Sequence, residues 1–168
     1  MTPETLLQAL EAAGIETRTL HHPPVFTVAQ SQALRGELPG AHSKNLFLRA
    51  ARGEGFFLAV LEESRQVSVN ALARAALWPK VRMGSAEELR ATLGVEPGSV
   101  TPFGLVNAAP GAVHVVLDAA LARAPGLAWF HPLVNTASTG LRPPELMRFL
   151  AGRGHAVRVL ELDAPALA

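Results

Sequence analysis

His42-Ser43-Lys44-Asn45-Leu46-Phe47-Leu48 is the stretch on which the reading of the chain turns. Leu46 and Leu48 alternate with Asn45 and Phe47, the period of two expected of a strand over about 43–49. Lys44 falls at the start of it. An ammonium planted on a strand is held more firmly than one on a loop. The chain has 15 Lys+Arg, and only Lys44 and Lys80 are lysines. In a sequence so biased to arginine, lysine here points to a need for a compact point charge rather than a planar fork. A solvated lysine at a strand end fits the same pattern.

Working outward, the turn Arg52-Gly53-Glu54-Gly55 predicts a hairpin partner over Phe56–Leu61. Upstream, Thr2 caps a helix with Pro3 in its first position, Leu6, Leu7 and Leu10 on its buried face and Gly14 at its end. A short strand is expected over 16–21, broken by His22-Pro23-Pro24. Thr27 is expected to cap a short helix to about Leu34. Downstream, 68–77 reads as an alanine-rich helix and 81–83 as a short strand. Ser85 with Glu88 is a capping box opening a helix to Leu93. A loop, 98–102, follows, then Phe103–Asn107. Val113–Leu117 is an apolar strand, Asp118 caps one helical turn, and 128–131 is another strand. Pro143-Pro144-Glu145 opens a helix, 157–162 is the last strand, and the tail from Asp163 is expected to fray. Strands interleaved irregularly with short helices predict one α/β domain with a mixed sheet.

The 168 residues, 49% hydrophobic and 17% charged, suit one globular domain. A net charge of +1 excludes a long phosphate-gripping groove, so any nucleic-acid contact must be local. Cysteine is absent, which removes disulfides, a thiolate nucleophile and cysteine metal sites. No H-x-x-x-H, carboxylate cluster, G-x-G-x-x-G or G-K-[ST] occurs, so no metal or cofactor is expected. Ser99 has no Gly-x-Ser-x-Gly frame. Glu62-Glu63 reads as a solvated turn, and Trp78 as packing. No basic and apolar leader and no run of roughly 20 apolar residues is visible. A cytoplasmic location is therefore expected by default.

Three polar segments stand out against the apolar strands: 42–45, 98–102 and 130–139. They sit among further pieces: Pro-Pro-Val-Phe-Thr at 23–27, Lys-Asn-Leu-Phe-Leu at 44–48, and a Gly-x-x-x-Pro loop at 98–102. Thr-Pro-Phe-Gly-Leu at 101–105, Val-Val-Leu-Asp at 115–118, and Phe-His-Pro-x-x-Asn-Thr-Ala at 130–137 complete the series. In this order the chain resembles the free-standing prolyl-tRNA editing proteins. These are relatives of the insertion domain of bacterial prolyl-tRNA synthetase, in the YbaK-like superfamily. Within it, the Lys-Asn and Phe-His-Pro pieces are most similar to the branch that removes alanine from mischarged tRNA(Pro). Ala50 stands where that pattern usually has an acidic residue, and Ser138 where threonine is more usual.

The resemblance implies a mixed, mostly antiparallel sheet or partial barrel flanked by helices. It also implies hydrolysis of an aminoacyl ester on the 3′-terminal adenosine. Such an ester needs positioned water and donors for the oxyanion. Gly98, Ser99, Val100 and Thr101 would offer backbone N–H groups, with Gly98 allowing close approach and Pro102 fixing the exit. An ordinary turn between helix and strand has the same composition. Lys44 would pair with a phosphate or hold the ester. Alternation points Asn45 to the opposite face unless the strand bulges. His131 would orient water or line the amino-acid pocket; a hydrogen-bonded core histidine is the alternative. Val28, Leu46 and Asn135 are the remaining substrate-binding candidates. Arg82 and Arg142 are candidates for the acceptor stem. The implied partners are alanine-charged tRNA(Pro) and prolyl-tRNA synthetase, with the substrate's own 2′-hydroxyl assisting. Two other readings stand beside this one: a deacylase of Ser-, Thr- or Cys-charged tRNA, and a non-catalytic RNA-end-binding module.

Overall fold

The computed structural model describes residues 1–24, 27, 29–30 and 38–162. The expected helix to Leu34, Val28 and the tail from Asp163 lie outside the described residues, except that Gln30 N–H donates to Thr27 Oγ1 (3.1 Å), as a cap requires.

Strand β2 (Ala41–Ala50) is the hub. It pairs antiparallel with β3 (Phe56–Glu62) over Ser43–Arg49 and with β4 (Val81–Met83) over Leu48–Ala50. On its other margin it pairs in parallel with β6 (Ala128–Phe130), only at Ala41 and His42. Beyond β3 lie β5 (Val113–Asp118) and β8 (Val157–Leu160), both parallel. Beyond β6 lie β7 (Ala137–Leu141) and β1 (Arg18–His21), both antiparallel. The result is an eight-stranded mixed sheet in which four pairings are antiparallel and three parallel.

Helices cover both faces because β3 is apolar on both sides, the signature of a buried strand. One face carries Phe47, Leu58, Val60, Val115 and Phe130. It is covered by α1 (Pro3–Ala12), α3 (Ala86–Leu93), a 3-10 helix (Pro102–Asn107), α4 (Ala119–Ala122) and α5 (Pro143–Gly152). The other carries Leu48, Phe57, Ala59 and Leu61 under α2 (Val69–Ala76).

The local signals act where expected. Thr2 and Thr5 exchange the two hydrogen bonds of a capping box, as do Ser85 and Glu88. Leu6 and Leu10 are fully buried, and Leu7 packs only partly against the same core. Three expectations are corrected. Phe103–Asn107 is the 3-10 helix, so loop 98–102 does not join helix to strand. Glu63 is 2% exposed rather than solvated, its N–H bonded to the His42 carbonyl at 2.9 Å. β7 was not expected at all. Its Ala-Ser-Thr-Gly-Leu has little β-propensity, yet all five residues are buried.

Candidate functional site

The β2 margin facing β6 is paired at 41–42 and again, by β4, at 48–50. Between them the sheet is open, and Lys44 and Asn45 sit in that gap. Ser43 ties its near end, its hydroxyl donating to the Trp129 carbonyl (3.0 Å). Gly84 N–H bonds the Phe47 carbonyl at the far end (2.9 Å).

The β2–β3 register runs from 43 to 49 without a bulge, so Lys44 and Asn45 point to opposite faces. Lys44 lies opposite Leu61, on the α2 side of the sheet. It is half-buried and has no hydrogen-bond or ion-pair partner among the described residues. Leu46 shares that face and packs against the same cluster. Asn45 lies opposite Val60 on the other face. Its Nδ2 reaches Ser43 Oγ at 3.4 Å, and its Oδ1 is buried with no hydrogen bond among the described residues.

The β2–β6 register pairs His42 with Trp129, so residue 131 follows level with residue 44. Gly140 and Ser138 share the Trp129 face, as the β6–β7 register requires. A methyl on Gly140 would stand 3.0 Å from the Trp129 ring, which explains glycine there. His22 Nε2 lies 2.8 Å from Ser138 Oγ, and the His22 and His131 rings are 6.4 Å apart. His131, half-buried, donates from Nδ1 to the Ala137 carbonyl (3.1 Å). Burial holds its pKa below the usual histidine range; the Ala137 carbonyl opposes this and His22 adds to it. The next turn is strained: Leu133 takes φ +70° and gives its N–H to the His131 carbonyl at 2.9 Å. Leu133 is packed in the core on the Asn45 face, so this turn wraps from one face to the other beside the gap.

Loop 98–102 packs on the Asn45 face through Val100, with Phe103 edge-on to Phe130 (6.1 Å). Its amides are not equivalent. Ser99 N–H is engaged by the Glu96 carbonyl (3.0 Å), which removes it from the expected donor set. The N–H groups of Gly98, Val100 and Thr101 have no acceptor among the described residues. Gly98 holds φ +89°, a conformation that side chains disfavour. Thr101 caps the 3-10 helix, its Oγ1 accepting from Phe103 N–H (3.3 Å), and Pro102 begins that helix, buried.

The expected single wall of Lys44 and the loop amides is thus divided. Lys44 and His131 lie on one face, Asn45 and loop 98–102 on the other, with the gap between them. Asn135 is half-buried in the turn; Val28 is outside the described residues. Arg82 is engaged by Glu88 (2.9 and 3.2 Å), which argues against a free stem contact, whereas Arg142 is exposed. The residues missed from sequence are His22 and the partner it finds in Ser138, 116 positions apart. Only the neighbouring Pro-Pro run hinted at an ordered histidine.

The level of the gap is fixed by a buried carboxylate. Asp118 accepts from Glu62 N–H, Arg65 Nε and Nη2, and Ala120 N–H (2.9, 2.8, 3.1 and 3.0 Å). Burial pushes its carboxyl up, but Arg65 and the two amides more than offset this and hold it below the usual range.

No helix among the described residues is long and apolar enough to cross a membrane. The aminoacyl-tRNA editing domain model matches residues 22–149. Prolyl-tRNA synthetase associated domain-containing protein 1 of Bos taurus is 35% identical over 161 residues, covering 94% of each chain. The prolyl-tRNA editing protein ProX of Acetoanaerobium sticklandii is 27% identical, covering 95% of this chain and 96% of its own. A crystal structure of a proposed trans-editing enzyme for prolyl tRNA synthetase superposes with TM-score 0.70 at 21% identity, over 96% of this chain and 97% of the other, a likeness of fold. With a family model spanning most of its length and relatives matched end to end, this chain belongs to the aminoacyl-tRNA editing domain family.

Proposed function

We propose that the protein is a trans-editing hydrolase that deacylates alanine mischarged onto tRNA(Pro). The observation that carries this is the gap at Lys44–Asn45. It presents a half-buried ammonium without a counter-charge among the described residues, beside a strained turn and a loop with unengaged amides. Lys44 takes a phosphate of the CCA end or holds the ester. The N–H groups of Gly98, Val100 and Thr101 stabilise the oxyanion as water attacks the ester carbonyl. The substrate 2′-hydroxyl assists, so no protein general base is required. His131 orients the water or the aminoacyl group, and Asn45, Asn135, Leu46, Val28 and Pro102 shape the pocket. The proposed setting is the cytoplasm, in partnership with prolyl-tRNA synthetase.

The substrate follows from the limits of a single sieve. A missing methylene is worth only about 1–3 kcal/mol to a synthetase, so a smaller amino acid escapes it and a second, hydrolytic site is needed. A pocket that admits alanine and excludes proline by bulk supplies that. The test is a panel of purified tRNAs charged with Ala, Pro, Ser, Thr or Cys. Fast release of alanine with proline retained supports the reading. Preferred release of serine, threonine or cysteine reassigns the substrate, and binding without cleavage of any ester makes the protein an RNA-end-binding module.

A further inference from the structure

His22 Nδ1 lies 2.8 Å from the Pro23 carbonyl and His131 Nδ1 lies 3.1 Å from the Ala137 carbonyl. A carbonyl only accepts, so each imidazole in its neutral form carries the proton on Nδ1 and presents Nε2 as an acceptor. At His22 that acceptor faces the Ser138 hydroxyl at 2.8 Å. The hydroxyl proton therefore points at His22, and the Ser138 lone pairs are left for another donor. His131 Nε2 has no partner among the described residues and keeps its lone pair as well. Burial favours the neutral form of His131. Ser138, which is 8% exposed, lies on the face of the sheet that carries Lys44, and the two imidazoles are 6.4 Å apart. On that face Ser138 Oγ and His131 Nε2 are the two acceptors left without a donor of their own among the described residues.

We propose that His22 is a positioning residue that locks Ser138 as an acceptor, and that Ser138 Oγ and His131 Nε2 together bind the protonated α-amino group of the aminoacyl ester. An alkylammonium brings three donors and no acceptor, the complement of this wall. A hydroxyl free to rotate would offer its proton as well as its lone pairs and discriminate less. The site then selects aminoacyl esters with a free α-amino group over N-blocked or peptidyl esters. This rests on the deacylase reading for its substrate class, and its test is built to fail separately.

The probe is a tRNA(Pro) acceptor minihelix ending in 3′-alanylamino-3′-deoxyadenosine, an amide that is not hydrolysed, with the α-amino group free or acetylated. Binding of both to the full chain is measured by fluorescence anisotropy, so catalysis plays no part. The free-amine probe is expected to bind about 10–100-fold tighter, the range for one hydrogen bond to a charged group. In Ser138→Ala and His22→Phe that ratio falls to within about threefold of unity, and in Ser138→Thr, which keeps the hydroxyl, it persists. The ratio cancels any general loss of fold, which circular dichroism monitors. Equal binding of the two probes to wild type, a ratio unchanged in Ser138→Ala or His22→Phe, or no binding of either overturns the proposal. Failure of the deacylase reading shows instead as intact Ala-tRNA(Pro) ester in the panel.

Discussion

Gly98→Ala tests whether the loop amides do chemistry or merely close a turn. Gly98 holds φ +89° while the next residue's N–H bonds back to the Glu96 carbonyl at 3.0 Å. An L-residue forced into left-handed backbone costs about 1–2 kcal/mol. If the loop tolerates the strain, the cost appears as stability. For a chain of this size that is a fall in Tm of about 2–8 °C. If the loop relaxes towards negative φ instead, the peptide planes that follow rotate, and the unengaged N–H groups of Val100 and Thr101 turn with them. Removing one oxyanion donor costs about 10²–10³ in rate. The assay is single-turnover deacylation of Ala-tRNA(Pro) at saturating enzyme, with thermal unfolding in parallel. The expected result is a rate at least about 100-fold below wild type in a protein that still unfolds cooperatively. A rate within about threefold of wild type, with the Tm fall present, would show that these amides stabilise no developing charge.

Lys44→Ala removes the ammonium from the gap without removing an internal partner, so Tm should hold within a few degrees while activity falls about 10–100-fold, the range for a hydrogen bond to a charged group. Lys44→Arg should recover little, since a planar fork does not replace a point charge; kcat and KM measured for both variants check this. Asp118→Ala strips a fully buried carboxylate from Arg65 and two amides, and breaking a buried pair costs about 3–5 kcal/mol. Differential scanning calorimetry should show a fall of about 6–20 °C, and a fall under 2 °C would mean the pair does not set the level of β3 and α4. For His131 the folded pKa is lowered, so the unfolded chain takes up a proton first. Stability is therefore full above the unfolded-state value, falls as pH drops through it, and levels off below the folded value. Urea unfolding against pH should show that slope in wild type and a flatter one in His131→Gln; identical slopes would remove His131 as its source.

What the sequence yields here is what is encoded within a few positions. The Ser85–Glu88 and Thr2–Thr5 caps, the Asp118 cap and the β2–β3 hairpin all join near neighbours, and each was legible. The apolar runs at 56–61 and 113–117 likewise declared themselves as strands. β7 was not legible because its identity as a strand comes from its neighbours: Gly140 is there to clear the Trp129 ring, and Thr139 to meet Thr19 Oγ1 at 2.8 Å. The parallel β2–β6 pairing, which creates the gap, joins segments 87 positions apart at Ala41 and Ala128 and leaves no local mark. The motif order placed Lys44, loop 98–102 and the His131 turn near one another in function. Alternation along β2 already implied that Lys44 and Asn45 part company. That the loop falls on the Asn45 side required the packing of Val100 and Phe103, a tertiary fact. His22 was passed over because a histidine between His21 and Pro23 carries no sign of the serine it will meet 116 positions on.

The central claim stands on which ester the gap at Lys44 and Asn45 admits. Purified wild-type protein mixed with Ala-tRNA(Pro) and, separately, Pro-tRNA(Pro) under single-turnover conditions should free alanine rapidly and leave the prolyl ester at its spontaneous rate of hydrolysis. Rapid loss of proline, or both esters surviving untouched, would contradict it.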